Sequence, residues 1–414
     1  MYRDPKYTTV TDEKFPPHIE IHFVDGAARQ VLVFEKVTWE QGGRAISLRY
    51  GDNPGQPGAL YRLINGNLVL GDVQSIGPGN ELVSLPELLI GTKHPGKINI
   101  TDADRALAHL RHLMDKPACV IIKHGNPSAI AHDGSLASAF EKAWNSDSAA
   151  SFGGCVGFNR SVDKAAAEGV LASNTDVVVA PEYEQGVLDL LATRDGLRVL
   201  RIANMERLAE YAYAPVIDFR SLVDGGLVVQ WSQVPPVIGP DDLRPAAAIG
   251  EGQRFICRRT VRGSERDDVL LAWKIVCAMS SNAAVFVKDG CTMGIATGQQ
   301  DSLSATEVAR DKAYRNLADR IALRRTGKIF QAVKQPMLVE NIHRDVGELR
   351  GGLIGSVLAS DGFFPSIEAI DLAAREGVIA VIQPGGATGD HKLIEECNEV
   401  GVAMVFTGQR TFVG

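Results

Sequence analysis

Lys123 and His124 stand side by side in the stretch VIIKHGNPSAIA, an ammonium next to an imidazole. Such a pair can move protons, because an unperturbed imidazole titrates near neutral pH and an ammonium supplies positive charge beside it. A β-forming run, residues 119–122, comes before them. The turn-forming Gly125-Asn126-Pro127-Ser128 follows, and a helix-like pattern begins at Ala129. This order predicts a strand, a turn and a helix start, with both groups at the carboxyl end of the strand. In open α/β sheets ligands bind there. Adjacent side chains on a strand point to opposite faces, so only a turn at Lys123 or His124 lets both face one ligand. Alone, a Lys-His pair is most often two solvated side chains, and its meaning rests on the other loops.

Those loops are polar and built of small residues. They are Ser151-Phe152-Gly153-Gly154, Asp176 at the head of DVVVAPEY, Ser281-Asn282 before AAVFV, and Gly298-Gln299-Gln300. Ser360-Asp361-Gly362-Phe363-Phe364-Pro365 and Gln383-Pro384-Gly385-Gly386 complete the set. Each one singly reads as a plain turn. No phosphate loop, dinucleotide fingerprint or nucleophile elbow occurs. His109 and His112 lie at i and i+3 of an expected helix with nothing to complete a metal set, and read as a solvated helix face. The six cysteines form no C-x-x-C pair. They read as buried, reduced thiols of a cytosolic protein rather than a zinc site or a disulfide framework.

The elements that must carry these loops alternate in type. Residues 98–114 predict a helix, with Thr101 or Asp102 as its cap. The strand CVII, a helix over 135–145, the helix VDKAAAEGVL, the strand DVVVAP, the helix EQGVLDLLAT and the strand LRVLRI follow. A Pro-rich, charged stretch, residues 230–265, reads as a connection. Then come the helix VLLAWKIVCAMS, the strand AAVFVKDG, a helix over 304–324, and two further helix–strand pairs ending in VAMVFTG. Such alternation predicts parallel sheets with helices on both faces. Residues 1–45 read as an N-terminal extension with short strands, IEIHFV and QVLVFEKV. The expected division is therefore 1–45 extension, 46–229 first subdomain, 230–265 connection and 266–414 second subdomain.

Composition narrows the function classes. A chain of 414 residues is long enough for two or more lobes. A net charge of −7 disfavours nucleic acid as partner. No apolar run approaches the ~20 residues of a membrane span, and the N-terminus lacks the apolar core of a signal peptide. The expectation is a cytoplasmic protein with small-molecule ligands.

In this order the loops resemble one family, the aminoimidazole-carboxamide ribotide (AICAR) transformylase domain of the bifunctional purine-biosynthesis protein. The carrying stretches are LRYGDNPGQ, KHGNPSA, SFGGCVGFNRSVD, DVVVAPEY, FRSLVDGGLVVQ, SSNAAVFVKDGCTMGIATGQQ, ASDGFFPS, VIQPGG and FTGQR, spanning residues 47–410. The resemblance implies two cytidine-deaminase-like α/β/α subdomains in tandem, without the deaminase zinc. It implies a homodimer with active sites at the subunit interface. The reaction implied is formyl transfer from 10-formyltetrahydrofolate, as co-substrate, to the 5-amino group of AICAR, giving FAICAR. The short stretch ahead of LRYGDNP has no room for the IMP cyclohydrolase domain, so a stand-alone transformylase and a separate cyclohydrolase are expected.

The resemblance also assigns roles. His124 is the base, Lys123 supplies positive charge or a proton, and Asn282 hydrogen-bonds at the reacting centre. Arg49, Tyr50 and Arg410 take the substrate phosphate, and Asp176 contacts the ribose. Asn126, Phe152 and Gly153 line the nucleotide. Phe363, Phe364 and Pro365 form an apolar platform for the folate, and Glu368 meets the pterin edge. Glu368 reads equally well as a first-turn helix acid. A potassium ion near Asp361 fits family analogy, although nothing in the residues demands it. The chain departs from the family pattern mostly on the donor side. Gly55 replaces a histidine, Ser302 an arginine after GQQ, FFPSIE stands for FFPFRD, and the C-terminal histidine is absent. Three alternatives follow: a related aminoimidazole or aminopyrazole carboxamide acceptor, a different formyl donor, or a non-catalytic nucleotide-binding homologue.

Overall fold

The computed structural model describes residues 9–12, 14–65, 79 and 81–414. Residues 1–8 of the expected extension, on which the signal-peptide reading partly rests, lie outside the described residues. The chain divides into two compact units, each discontinuous in sequence. The first comprises Met1–Met114 and Gly153–Val234, and the second Asp115–Phe152 and Pro235–Gly414. The consecutive division expected from the sequence does not coincide with them, because residues 115–152 group with the C-terminal part.

In the first unit, strands His18–Asp25, Ala28–Val37 and Leu60–Leu63 form an antiparallel sheet with the middle one central. The expected short strands are therefore present, and longer than read. A second sheet holds Cys155–Phe158, Val177–Ala180 and Arg198–Arg201 in parallel, with Glu87–Ile90 antiparallel at Arg198–Arg201. Cys155–Phe158 and Val177–Ala180 are buried throughout, as strands covered on both faces must be. Helix Lys164–Ala172 starts where Asp163 Oδ1 accepts the Ala166 N–H at 2.7 Å. Helix Lys97–Leu110 begins after Gly96, not at Thr101 or Asp102. The Asn99 side chain accepts the Gly96 N–H at 3.0 Å and closes that end.

The main sheet of the second unit runs in the order Ala403–Phe406, Ala380–Gln383, Val357–Ser360, Ala284–Lys288, Cys291–Ala296, Asn126–His132, Ala118–Lys123, and the hairpin Ala247–Gly250/Gln253–Ile256 stands apart from it. The first three run parallel and every later pairing is antiparallel. Parallel sheets throughout were expected, and the sheets are mixed. The expected long helix is Ser302–Thr326, capped by Asp301 Oδ1 on the Ser304 N–H at 2.7 Å and closed by Gly327 at φ 69°. Phe286, Leu358, Phe364, Ile370 and Ile394 sit in one core under the sheet and helices. Truncating a residue such as Phe286 to alanine costs about 3–5 kcal/mol.

The main correction lies at Lys123-His124. Asn126–His132 is a strand, not a turn followed by a helix. Lys123 pairs with Asn126, leaving His124-Gly125 as a two-residue loop with φ 51° and 75°. Two positive φ values define the hairpin turn whose twist matches its strands. Pro127 fits because the register shifts beside it, between Ile121 and Ile122.

Candidate active site

Strand register decides which candidate residues share an end of the second unit's sheet. Lys123 pairs with Asn126 at the hairpin tip. The strand Asn126–His132 runs antiparallel to Cys291–Ala296, meeting it at Ala131 and Cys291, so the tip lies toward Ala296. Ala296 pairs with Ala284, and Ala284 with Ser360. The parallel partners of Val357–Ser360 then end at Gln383 and Phe406. Lys123, His124, Asn282, Gln299, Asp361–Phe363 and Arg410 therefore all lie off one end of that sheet. Strands Asn126–His132 and Ala284–Lys288 are second neighbours, about 10 Å apart.

At the hairpin, His124 is exposed and Lys123 half-buried. The Lys123 ammonium donates to the Phe152 carbonyl and lies 5.9 Å from the centre of the Phe152 ring. Phe152 itself is exposed. Asn126 Nδ2 donates to the His124 carbonyl at 3.3 Å. Ser128 and Ser151 share a hydrogen bond of 3.0 Å, tying the second strand to the segment that carries Phe152.

Two strands away, Asn282 and Gln299 exchange backbone hydrogen bonds of 2.9 and 3.1 Å. The Asn282 carboxamide also donates to the Gln299 carbonyl, at 3.2 Å. Gly362 approaches so closely that a Cβ there would stand 3.1 Å from both Asn282 Oδ1 and the Phe412 ring. Arg410 lies over that ring at 4.9 Å. Asp361 is fully buried, and its Oδ1 accepts the Ala283 N–H at 2.8 Å. Burial pushes its carboxyl above the usual range, against the hydrogen bonds it receives.

The donor-side residues are only partly available. Phe363 is 43% exposed, and Pro365 and Glu368 are also exposed. Phe364 is 0% exposed and belongs to the core, which corrects its place in the expected platform. Its backbone N–H donates to Gln383. Glu368 opens helix Glu368–Arg375, and a hydrogen bond from Ser366 lowers its carboxyl. Ser302 is buried and donates to the Phe363 carbonyl at 3.0 Å, so it braces this loop.

Arg49, Tyr50, Gly153 and Asp176 belong to the first unit. The Arg49 guanidinium lies 5.0 Å from the centre of the Tyr50 ring. Gly153 has φ 70°. Asp176 and Arg198 are joined by a backbone hydrogen bond of 3.0 Å. Two basic residues here were missed by the sequence reading, His94 and Arg198. No motif marks them, because strand pairing brings them to this place.

His109 and His112 are not a solvated face: both are buried. Among the described residues no group of three His, Cys, Asp or Glu converges as a metal set. All six cysteines are buried, and none is joined in a disulfide. No described helix is long and apolar enough to cross a membrane. A surface pocket of about 210 Å³, lined by Pro245, Arg259 and Arg266 among others, contains none of the candidate residues.

The profile of the AICARFT/IMPCHase bienzyme family matches residues 19–312. Proteins named bifunctional purine biosynthesis protein PurH are similar along most of the chain. The one from Magnetococcus marinus is 34% identical over 371 residues, 88% of this chain and 59% of its own length. That from Sorangium cellulosum is 35% identical over 378 residues, 89% and 59% respectively. That from Xanthomonas oryzae pv. oryzae is 32% identical over 410 residues, 99% and 62%. The chain thus spans about three fifths of the length of these relatives. With the profile covering well over half of it, the chain belongs to the AICARFT/IMPCHase family.

Proposed function

We propose that the chain transfers a formyl group from 10-formyltetrahydrofolate to the 5-amino group of AICAR, giving FAICAR, in purine biosynthesis. The observation that carries this reading is His124: an exposed imidazole on a fixed turn, beside Lys123, at the same sheet end as Asn282. The acceptor amine is a poor nucleophile, because its lone pair is delocalised into the imidazole and carboxamide. His124 takes a proton from that nitrogen as it attacks the formyl carbon. The resulting tetrahedral oxyanion is met by positive charge from Lys123 and by the Asn282 amide. Collapse breaks the bond to N10 of the folate, and the proton returns to that nitrogen. The hydrogen bond from Lys123 to Phe152 holds the ammonium in place until substrate competes for it.

The same reading includes two cytidine-deaminase-like subdomains, a homodimer with interfacial active sites, and work in the cytoplasm. Asp361 would hold a potassium ion: its Oδ2 faces Ser281 without a hydrogen bond of ordinary geometry, which suits an oxygen ligand. Such an ion would neutralise the buried carboxylate, and no step above passes through it.

The test is His124→Ala, with AICAR binding and formyl transfer measured separately. Binding should stay within a few fold while turnover falls about 10²–10⁴-fold, the usual contribution of a general base. Full turnover in the variant sinks the assignment of the base. A wild-type protein that binds AICAR but transfers nothing is a binding homologue, and the proposal is then wrong.

A further inference from the structure

One cavity of the second unit is built from segments that meet at the edge of its main sheet. Pro245 forms an antiparallel bridge to Val405 on the edge strand Ala403–Phe406. The Ala246 N–H donates to the Met404 carbonyl at 2.8 Å, and the Cys257 N–H to the Ala246 carbonyl at 2.9 Å. The segments around Pro245 and Cys257 are thereby laid along that strand. Two arginines fix the walls. Arg259 donates to the Ile379 carbonyl at 2.8 Å and to Glu265 at 2.6 Å. Arg266 donates to the Pro240 carbonyl at 2.8 Å. The space left between them measures about 210 Å³, and its whole lining belongs to the second unit.

The lining combines apolar and cationic groups. Leu243, Met404 and Val405 bring buried apolar surface, and Arg259, Arg266 and the exposed Thr260 bring donors. The sequence here is unusually basic: RFICRRTVRGSER, residues 254–266, holds five arginines and one acid in a chain of net charge −7. That acid, Glu265, is paired with Arg259. Two further acids near these segments are committed elsewhere. Asp242 accepts the Ile238 and Gly239 N–H groups at 2.9 Å each, and Asp267 pairs with Lys116 at 3.2 Å. Arg266 makes no ion pair among the described residues, and the Pro240 carbonyl occupies only part of its fork of donors. The exposed Arg254, Arg258 and Arg262 raise the local potential felt by an approaching anion. A volume of about 210 Å³ lies below the ~300–1,000 Å³ of drug-sized sites, so it suits a single ring rather than a nucleotide or a folate.

We propose that this pocket is a binding site for a small monocarboxylate, and that it shares no residue with the candidate active site. Arg266 takes the carboxylate in its fork, whose geometry matches two oxygens at once. The Thr260 hydroxyl adds a third donor. A single ring or a short carbon chain covers Leu243, Met404 and Val405. Arg259, already balanced by Glu265, shapes the wall. One guanidinium without a carboxylate matches one negative charge, which favours a monoanion over a phosphate dianion. The proposal does not rest on the transferase reading.

The experiment titrates the full chain with benzoate and follows the Met404 methyl signal by NMR, which reports on the pocket itself. That signal should move with a Kd on the order of 1 mM, as suits a ligand of about nine non-hydrogen atoms. Acetate keeps only the head group and benzyl alcohol only the ring, and each should bind at least about 10-fold more weakly. Arg266→Gln should weaken benzoate about 10-fold or more, as loss of a charged hydrogen bond does, and Arg266→Lys should recover part of the loss. Thr260→Val should cost roughly 2–10-fold. Melting temperatures show which variants are folded; should Arg266→Gln not fold, Arg266→Lys and Thr260→Val at its exposed position carry the test. A Met404 methyl that stays unmoved well above the expected Kd overturns the pocket. Equal affinity in the wild type and the folded Arg266 and Thr260 variants overturns it as well. Phenyl phosphate binding more tightly than benzoate overturns the choice of a carboxylate.

Discussion

His124 sits at φ 51°, left-handed backbone that a side chain with a Cβ adopts at a cost of about 1 kcal/mol or more. Glycine takes that conformation freely, and Gly125 beside it does so at φ 75°. The proposed base role would account for a histidine at a position where glycine fits more easily. His124→Gly should therefore hold stability within about 1 kcal/mol of the parent, or raise it, because relief of strain offsets the freer unfolded chain. Formyl transfer should be lost; a urea unfolding curve and a turnover assay check the two halves. A variant markedly less stable would show that the imidazole is packed, not poised. Asn282→Ala should lower kcat about 10²–10³-fold, as removal of one oxyanion donor does. Residue type singled out Lys123 and His124, and the resemblance drew in Asn282; strand register places all three off one end of the sheet. Phe364 was not legible, because Phe363 and Phe364 are identical in type and only the end of the neighbouring strand decides which turns inward.

Most helices and strands could be read from periodicity and caps, and the long helix Ser302–Thr326 fell within two residues of expectation. The strand Asn126–His132 could not be. Its buried run Ala129-Ile130-Ala131 reads like a helix, since a short apolar run flanked by strands on both sides carries no alternation. The true turn lay one residue earlier, at His124-Gly125. Helix Lys97–Leu110 failed differently, because its buried face is wide enough to include His109 along with Ala103, Ala106, Leu107 and Leu110. His109 is 1% exposed, and burial with Arg105 and Arg111 nearby lowers its pKa to about 3. The unfolded chain takes up this proton near the ordinary imidazole value, about 6.5, while the folded chain resists. Stability from this group is thus complete above that value and is lost as pH falls toward the folded pKa. Between pH 7 and pH 5 the loss should be about 2 kcal/mol. His109→Leu, which cannot titrate, should flatten the pH dependence of Tm over that window. An unchanged slope would mean that His109 is hydrated in solution.

The chain as a whole carries a net charge of −7, and its ligands in the proposed reaction are anions. On the nucleotide side the sequence has the cations that the resemblance names, Arg49 and Arg410, and on the donor side it does not. Ser302, in place of an arginine, is buried and spent on the Phe363 carbonyl, and the residue before Glu368 is Ile367. Each γ-glutamate added to the folate brings one more negative charge to a surface that has lost its opposing charges. The molecule's net negative charge then weighs on that encounter. The donor KM should therefore change less than about 3-fold between mono- and polyglutamylated 10-formyltetrahydrofolate, since exposed charge pairs contribute at most about 1 kcal/mol. Raising salt should lower or leave unchanged the KM of the polyglutamylated donor, because screening weakens repulsion. Restoring a cation by Ile367→Arg, at an exposed position, should reverse both trends. Steady-state kinetics at two ionic strengths decide it: a polyglutamate preference that weakens with salt in the parent would show that other cations have taken over the tail, and the charge argument would fail.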